Sequence, residues 1–165
     1  MGNIKIDITC ASKKWAKIFK DIKPIIKKAI ITALGETSIL QKCRNTEISV
    51  LLTDNLGIKK LNKIYRGKDK ATNVLSFPLM DIKAGKYGNL PQDIILGDII
   101  LAYSIIAEEA LKQNKPFINH LTHLCIHGAL HLVGYDHERE KDAEKMESLE
   151  IKILTYLAIP NPYKD

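Results

Sequence analysis

Histidines are the residues of this 165-residue chain whose spacing points most directly to chemistry. All five fall in the last third of the sequence, and three of them belong to the segment HGALHLVGYDH, residues 127–137. Residues four apart lie on one face of a helix, so His127 and His131 can bind one ion from the same side. Gly134 then lets the chain turn and bring His137 back as a third ligand. Three imidazoles suit zinc and leave a fourth position open for water.

The two remaining histidines extend the same helical stripe. Their positions step by three, four and four along the chain: His120, His123, His127 and His131. We expect metal binding, because chance seldom places so many histidines on one stripe and nowhere else. Imidazole also binds copper, nickel and iron, but an open three-histidine site is a hydrolytic zinc arrangement. His123, one turn before His127, is either a contact to a ligand or to substrate, or a packed core histidine.

The spacing of the three histidines also occurs in metzincin proteases, which makes a peptidase the first alternative. Those enzymes carry a glutamate general base directly after the first histidine, where this chain has Gly128. Without that carboxylate the protease interpretation is weak. Asp136 could serve as a base or support a ligand, although a role in shaping the turn is slightly favoured.

A basic segment upstream supplies a second group of candidate residues. The stretch 59–70 holds six basic residues and one acidic residue, and the block YRGKDKATNVLSFP, residues 65–78, joins a predicted helix to a predicted strand. The guanidinium of Arg66 can clamp a phosphate with two parallel hydrogen bonds. The alternative is a solubilising turn in which Arg66 pairs with Asp69. The lysines that could follow a nucleic-acid backbone are Lys60, Lys63 and Lys68.

Composition limits the classes of protein that fit. The formal net charge is +6, and the basic excess lies in the first 70 residues, which suggests a polyanionic partner such as nucleic acid. Apolar runs are short and interrupted by lysine, so we expect no membrane span. Three cysteines without CxxC spacing fit reduced thiols in the cytoplasm, and Cys125 is expected to be a buried thiol and not a ligand.

Hydrophobic periodicity indicates the elements that must position these residues. Alternating isoleucines from Ile4 to Ile8 predict the first strand. The predicted strands are 3–9, 46–53, 73–79 and 94–102; the predicted helices are 12–34, 55–64, 103–114, 117–133 and 140–157, with a loop at 81–93. Interleaved strands and helices with a helical C-terminal half predict an α+β or mixed α/β fold, in one domain over residues 1–165.

Particular residues mark the expected ends and breaks of these elements. Asp54 is expected to cap the helix that follows it, and Pro116 to occupy the first turn of the histidine helix. Pro24 should kink the long first helix or divide it in two. Pro78 indicates that its strand lies at an edge of the sheet or ends at that residue.

Taken together, these blocks resemble the YbeY family, zinc-dependent endoribonucleases of bacterial ribosomal RNA maturation. The family signature HGxLHLxGYDH is similar to residues 127–137, and its block YRGKDKPTNVLSFP is similar to residues 65–78, with Ala71 in place of proline. The segment LGDI at 96–99 and the Asn-Pro-Tyr at 161–163 also match. The resemblance covers most of residues 46–163.

The resemblance implies a compact α+β domain with a mixed four-stranded sheet and the zinc helix packed against it. It implies one zinc ion on His127, His131 and His137, with Arg66 needed for activity. The implied activity is cleavage of single-stranded RNA, with maturation of the 3′ end of small-subunit (16S) ribosomal RNA and ribosome quality control. An alternative is a non-catalytic ribosome assembly factor with structural zinc, whose fourth ligand would come from His123, Asp136 or Cys125.

Overall fold

One four-stranded sheet and seven helices make up the part of the chain that the computed structural model describes, residues 2–164. The strands are β1 Asn3–Cys10, β2 Asn45–Thr53, β3 Val74–Pro78 and β4 Asp93–Ala102. The helices are α1 Lys13–Ala16, α2 Phe19–Gly35, α3 Ile39–Lys42, α4 Asn55–Arg66, α5 Tyr103–Lys112, α6 Phe117–Leu132 and α7 Glu140–Tyr156.

The sheet is mixed, with the strand order β1-β2-β4-β3. Strands β1, β2 and β4 are parallel, whereas β3 runs antiparallel to β4 and forms an edge. Pro78 ends β3 at that edge, as its missing N–H requires. The α+β class and the mixed four-stranded sheet are therefore confirmed.

Helix α6 lies at the centre of the molecule and carries the histidines. Ten of its sixteen residues are buried, because α2, α5 and α7 cover it while the sheet lies beneath it. A side-chain carbon on Gly128 would come within 3.1 Å of both Ile99 on β4 and the Ser76 hydroxyl on β3. Ser76 donates a hydrogen bond to the Gly128 carbonyl at 3.1 Å. The missing side chain thus lets α6 approach the sheet closely.

An aromatic cluster of Trp15, Tyr103 and Phe117 lies at the end of the core where α6 begins. Trp15 is fully buried, and its indole N–H donates to the Thr53 carbonyl at 2.9 Å. Its ring meets Tyr103 edge-on, with centroids 5.3 Å apart, and Phe117 at 6.0 Å. This cluster joins α1 to the start of α5 and to the first residue of α6.

Most sequence-predicted elements are present within a few residues of their expected bounds. Asp54 is the N-cap of α4, where its carboxylate accepts from the Gly57 N–H at 2.8 Å. Pro116 is the N-cap of α6, one position before the predicted first turn. The short helix α3 was not predicted.

The predicted break at Pro24 is wrong, because α2 runs past it without interruption to Gly35. The first helix instead divides at residues 17–18. Pro24 lies early in α2 and removes the hydrogen bond to the carbonyl of Lys20, four residues back. Lys20 is exposed, so water can satisfy that carbonyl. No helix among the described residues is both long and apolar enough to cross a bilayer.

Candidate metal centre

The end of α6 turns the chain back toward its own histidines. The Gly134 N–H donates to the His131 carbonyl at 3.1 Å, and the Tyr135 N–H donates to the Leu130 carbonyl at 3.0 Å. This is the Schellman pattern of a helix terminus, which needs a left-handed residue after the cap. Gly134 supplies it with a φ of 100°. The loop that follows then brings His137 back over the helix.

A second segment, the loop 79–92, holds this turn from outside. A side-chain carbon on Gly134 would overlap the Ile82 carbonyl and lie 2.6 Å from the Ala84 nitrogen. Tyr87 is buried, and its hydroxyl donates to the carbonyl of Val133, the C-cap of α6, at 3.1 Å. Only glycine therefore permits both the turn and the close approach of the loop.

Three imidazoles converge at this end of α6. One ring nitrogen from each of His127, His131 and His137 lies within 4.8 Å of the other two. The Nε2 atoms of His127 and His131 are 3.1 Å apart. The His137 ring stacks on the His127 ring with centroids 5.3 Å apart. The spacing argument from the sequence thus matches the observed geometry, and the three nitrogens face a common point.

Behind His127 lies a carboxylate that the sequence did not single out. Glu150 on α7 is fully buried, and its Oε1 lies 2.8 Å from the Nδ1 of His127. Its Oε2 lies 3.1 Å from the Nε2 of His123 and accepts from the Tyr163 hydroxyl at 2.7 Å. A carboxylate on the far nitrogen of a ligand histidine is a usual companion of bound metal.

The ionisation of these groups favours a metal ion at the convergence point. Burial alone would raise the pKa of Glu150, but the hydrogen bonds from its three donors outweigh burial and lower the pKa to about 2. Burial, with the imidazoles of His127 and His137 nearby, lowers the pKa of His131 to about 4. His131 is therefore neutral at pH 7, as a metal ligand must be. The donor set fits a metal ion held by three histidines.

The remaining candidates near the helix do not complete a fourth ligand position. Cys125 is fully buried, and burial raises the pKa of its thiol to about 12, as expected for a packed thiol. The His123 imidazole contacts Glu150. The Asp136 carboxylate is exposed and accepts from the backbone N–H groups of His137 and Glu138, so it shapes the turn. Among residues 2–164, the candidate metal-binding group comprises the three histidines alone.

His120 lies on the same stripe but belongs to a separate contact. Its Nε2 is 2.9 Å from the Glu109 carboxylate on α5, which also accepts from the Asn73 side chain at 2.9 Å. The ring is almost fully buried. His120 therefore joins α6 to α5 and to the start of β3.

A cleft of about 750 Å³ opens beside the three histidines. Arg66, the last residue of α4, and Lys68, just after that helix, line the cleft, as do Ser76 and Pro78 on the edge strand β3. Asp69 is 4.0 Å from Lys59 and 3.8 Å from Lys63, so the suggested Arg66–Asp69 pair is not formed. The Arg66 guanidinium thus shares one cleft with the imidazoles.

The three suggested lysines differ in their positions. Lys68 lines the cleft, whereas Lys63 lies beside Asp69 and Lys60 is exposed on α4. Sequence reasoning missed Glu150 and Tyr163 as partners of the histidines. The available signal for Glu150 was an acidic residue among the apolar positions of α7, between Met146 and Ile153.

Comparison with known proteins agrees with this geometry. The family model described as "Endoribonuclease YbeY" matches residues 7–158. A Bradyrhizobium diazoefficiens protein named endoribonuclease YbeY is 47% identical over 146 residues, 88% of this chain and 78% of that protein. One of the same name from Bartonella quintana is 43% identical, covering 98% of each chain.

A solved structure resembles the whole fold. The solution structure of TM1509 from Thermotoga maritima has a TM-score of 0.53 and 26% sequence identity, covering 98% of this chain and 97% of that one. The match of the family model includes Arg66 and the whole segment 127–137. The chain, with three converging histidines and an arginine in one cleft, therefore belongs to the YbeY endoribonuclease family.

Proposed function

We propose that the protein is a zinc-dependent endoribonuclease that cuts single-stranded RNA in the cytoplasm. Its substrate would be the 3′ end of 16S ribosomal RNA in the small subunit, during maturation and ribosome quality control. The names of the relatives support RNA cleavage. The observation that carries the proposal is the cleft in which Arg66 meets His127, His131 and His137.

The chain's own residues divide the chemistry between them. His127, His131 and His137 would hold the ion through ring nitrogens that already converge. Zinc bound there supplies Lewis acidity to a phosphoryl oxygen and to a water molecule. Arg66 binds the scissile phosphate and stabilises the negative charge that grows on its oxygens in the transition state. Lys68, in the same cleft, neutralises an adjacent phosphate.

Two nucleophiles are compatible with this cleft, a water molecule and the 2′-hydroxyl of the RNA. The reaction products separate them. Attack by the 2′-hydroxyl leaves a 2′,3′-cyclic phosphate, whereas direct attack by water does not. Mass spectrometry of the cleaved ends of a short RNA therefore assigns the nucleophile.

Two other functions are less well supported. A non-catalytic assembly factor with structural zinc would need four protein ligands, and the described residues offer three. A peptidase would need a general base where Gly128 stands. A glutamate at that position would point toward Ile99 and Ser76 in the sheet, since that is where a side-chain carbon on Gly128 points.

Metal analysis combined with RNA cleavage tests the proposal. We expect purified wild-type protein to bind one zinc ion and to cut single-stranded RNA, and His131→Ala to lose both. Circular dichroism shows whether the variant is folded, and Tyr156→Phe, on the exposed face of α7, serves as an unaffected control. Cleavage by a metal-free protein would overturn the proposal. Full zinc content without any RNA cleavage would favour the assembly factor.

A further inference from the structure

The buried carboxylate behind His127 and the C-terminal segment that touches it have no role in the cleavage chemistry described above. We propose that Glu150 is a positioning residue that sets the tautomer and orientation of His127, and that Tyr163 in the segment 161–164 holds Glu150 in place. The inference rests on the proposed metal site. It assigns a function to a segment outside the cleft.

The contacts of Glu150 are the first step. Both carboxylate oxygens are in use: Oε1 faces the Nδ1 of His127 at 2.8 Å, and Oε2 faces the Nε2 of His123 at 3.1 Å and the Tyr163 hydroxyl at 2.7 Å. The side chain is fully shielded from solvent. A charged carboxylate in the interior is stable only when donors surround it. Three donors surround this one, two from helix α6 and one from the C-terminal segment.

The tautomer of His127 follows from these contacts. An ionised carboxylate can only accept, so the Nδ1 of His127 must carry the proton that it shares with Glu150. Neutral His127 then leaves its Nε2 without a proton, and that is the atom 3.1 Å from the Nε2 of His131. Glu150 therefore turns the free lone pair of His127 toward the other two ligands and makes it a stronger donor.

His123 acquires a role by the same reasoning. Its Nε2 donates to Glu150 and is not available as a metal ligand. The imidazole lies edge-on to the Tyr163 ring, with centroids 5.5 Å apart. His123 is thus a second support of the carboxylate, one turn of α6 before the ligand it helps to position.

The C-terminal segment is anchored at several points. Lys115 donates to the Pro162 carbonyl at 3.0 Å, and the Tyr163 N–H donates to the side-chain oxygen of Asn161 at 2.8 Å. These contacts direct the Tyr163 hydroxyl onto Glu150. Burial and, after it, the nearby Glu150 carboxylate raise the pKa of Tyr163. The hydroxyl therefore keeps its proton and donates a hydrogen bond to Glu150.

The test measures zinc affinity directly, without RNA. Competition with a chromophoric chelator gives the zinc dissociation constant for wild type, Glu150→Gln and Tyr163→Phe. We expect Glu150→Gln to weaken zinc binding about 10- to 100-fold, the usual effect of removing a partner from a ligand histidine. The glutamine keeps the size of the side chain, but its amide NH₂ cannot accept a hydrogen bond. At least one of the three donors therefore loses its acceptor. Tyr163→Phe should weaken binding less, because two donors remain.

A spectroscopic measurement separates positioning from general loss of structure. Imidazole ¹⁵N shifts of metal-free protein report which nitrogen of His127 carries the proton. We expect the Nδ1–H form in wild type and a mixture of tautomers in Glu150→Gln. Matched controls are Glu144→Gln and Tyr156→Phe, both exposed on α7, which should bind zinc as wild type does.

The outcomes distinguish this inference from the proposed function. If wild type binds no zinc, the proposed metal site itself is wrong. If wild type binds zinc, and Glu150→Gln and Tyr163→Phe bind it equally well, the positioning role is wrong while the ribonuclease proposal stands. Should Glu150→Gln fail to fold, Tyr163→Phe decides the matter, because it removes only the hydroxyl that contacts Glu150 and keeps the aromatic ring.

Discussion

At the scale of single residues, Arg66 is distinguished by having no ion-pair partner among the carboxylates of residues 2–164. Asp69, three residues on, lies beside Lys59 and Lys63 instead. Among residues 2–164, no carboxylate forms an ion pair with Arg66, although the side chain is exposed and lines the cleft. An arginine beside a candidate metal site and without a carboxylate partner is suited to an incoming phosphate.

Replacing Arg66 should affect catalysis and leave the metal untouched. We expect Arg66→Ala to lower the rate of RNA cleavage by about a hundredfold, the typical effect of losing one donor to the developing charge. Zinc content and thermal stability should stay at wild-type values. Arg66→Lys should recover part of the rate, since lysine keeps the charge and loses the paired hydrogen bonds.

The control for this experiment is Lys59→Ala, because Lys59 lies on the same helix beside Asp69. Single-turnover cleavage assays with saturating zinc compare the variants. Wild-type cleavage by Arg66→Ala would show that the arginine has no part in the reaction.

Sequence reasoning predicted that the three histidines converge, but it did not predict the residues that support them. The spacing of His127 and His131 is a local property of a helix, and Gly134 predicts the turn that brings His137 back toward them. Glu150 meets His127 only because α7 packs across α6, 23 residues further along the chain. No local periodicity predicts a contact of that kind. The place of Glu150 among the apolar positions of α7 indicates that it is buried, but it does not indicate its partner.

At the scale of elements, the first residues of the loop 79–92 form one wall of the site. Tyr87 fixes it to the last carbonyls of α6 through the Val133 contact. Its glycines and the proline at 91 give it little structure of its own. Tyr87 therefore connects the stability of the loop to the position of the turn at Gly134.

Removing the Tyr87 hydroxyl should loosen this wall. We expect Tyr87→Phe to lower the free energy of unfolding by about 1 kcal/mol, the net value of one hydrogen bond. Urea unfolding at pH 7 measures it, with Tyr156→Phe as the exposed control. A variant as stable as wild type would mean that the hydroxyl adds nothing to the loop's attachment.

The same residue makes a prediction about alkaline pH. Burial is the main cause that raises the pKa of Tyr87 in the folded protein. The unfolded chain therefore loses the tyrosine proton first, and stability declines as pH rises above about 10. Tyr87→Phe should show a shallower decline between pH 9 and 11. Parallel declines in the two proteins would contradict the expectation.

Gly134 offers a sharper test of the turn that returns His137. Gly134→Ala combines a left-handed φ of 100° with overlap against the backbone of Ile82 and Ala84. We expect a loss of more than about 2 kcal/mol in the free energy of unfolding and weaker zinc binding, since His137 must move.

Gly67→Ala is the matched control for backbone conformation. Its φ is 69°, but a side-chain carbon there meets nothing within 4 Å. That variant should lose only about 1–2 kcal/mol, the cost of the left-handed conformation alone. Equal losses in the free energy of unfolding would mean that the loop 79–92 moves away from residue 134 without an energetic cost.

Element prediction succeeded where the pattern was local and failed where tertiary contacts decide. Alternation predicted β1 and β2, and Asp54 marked the start of α4. The prediction at Pro24 was wrong because the proline lies early in α2, four residues after the exposed Lys20, where a lost helical hydrogen bond is tolerated. The family resemblance implied a mixed sheet but did not say which strand is antiparallel. The residues of β3 carry no local pattern that gives the direction of the strand.

At the scale of the whole molecule, the site lies at one edge of the sheet. Strand β3 forms that edge, and β1 forms the opposite one, three strands away. Arg66 at the end of α4 and Lys68 in the segment between α4 and β3 line the cleft. A single strand of RNA bound in the cleft would therefore contact basic residues near β3 and few near β1.

Salt dependence should reveal this one-sided contact. Each phosphate neutralised in a single strand contributes about −0.7 to the slope of log K against log salt. We expect Lys68→Ala to reduce the slope by about that amount. Lys5→Ala, on β1, should leave it unchanged. Fluorescence anisotropy with a labelled RNA in graded KCl measures both, and a flat dependence in wild type would argue against backbone contacts altogether.

The single tryptophan gives the molecule a fluorescent reporter that metal binding at the proposed site should not disturb. Trp15 lies against Phe117, the first residue of α6, and His127 is ten residues further along, about 15 Å at the helical rise. Its emission should be blue-shifted while the indole is buried and should move to the red when the core opens. A chelator competition assay can therefore measure zinc binding while Trp15 fluorescence shows independently that the core remains folded.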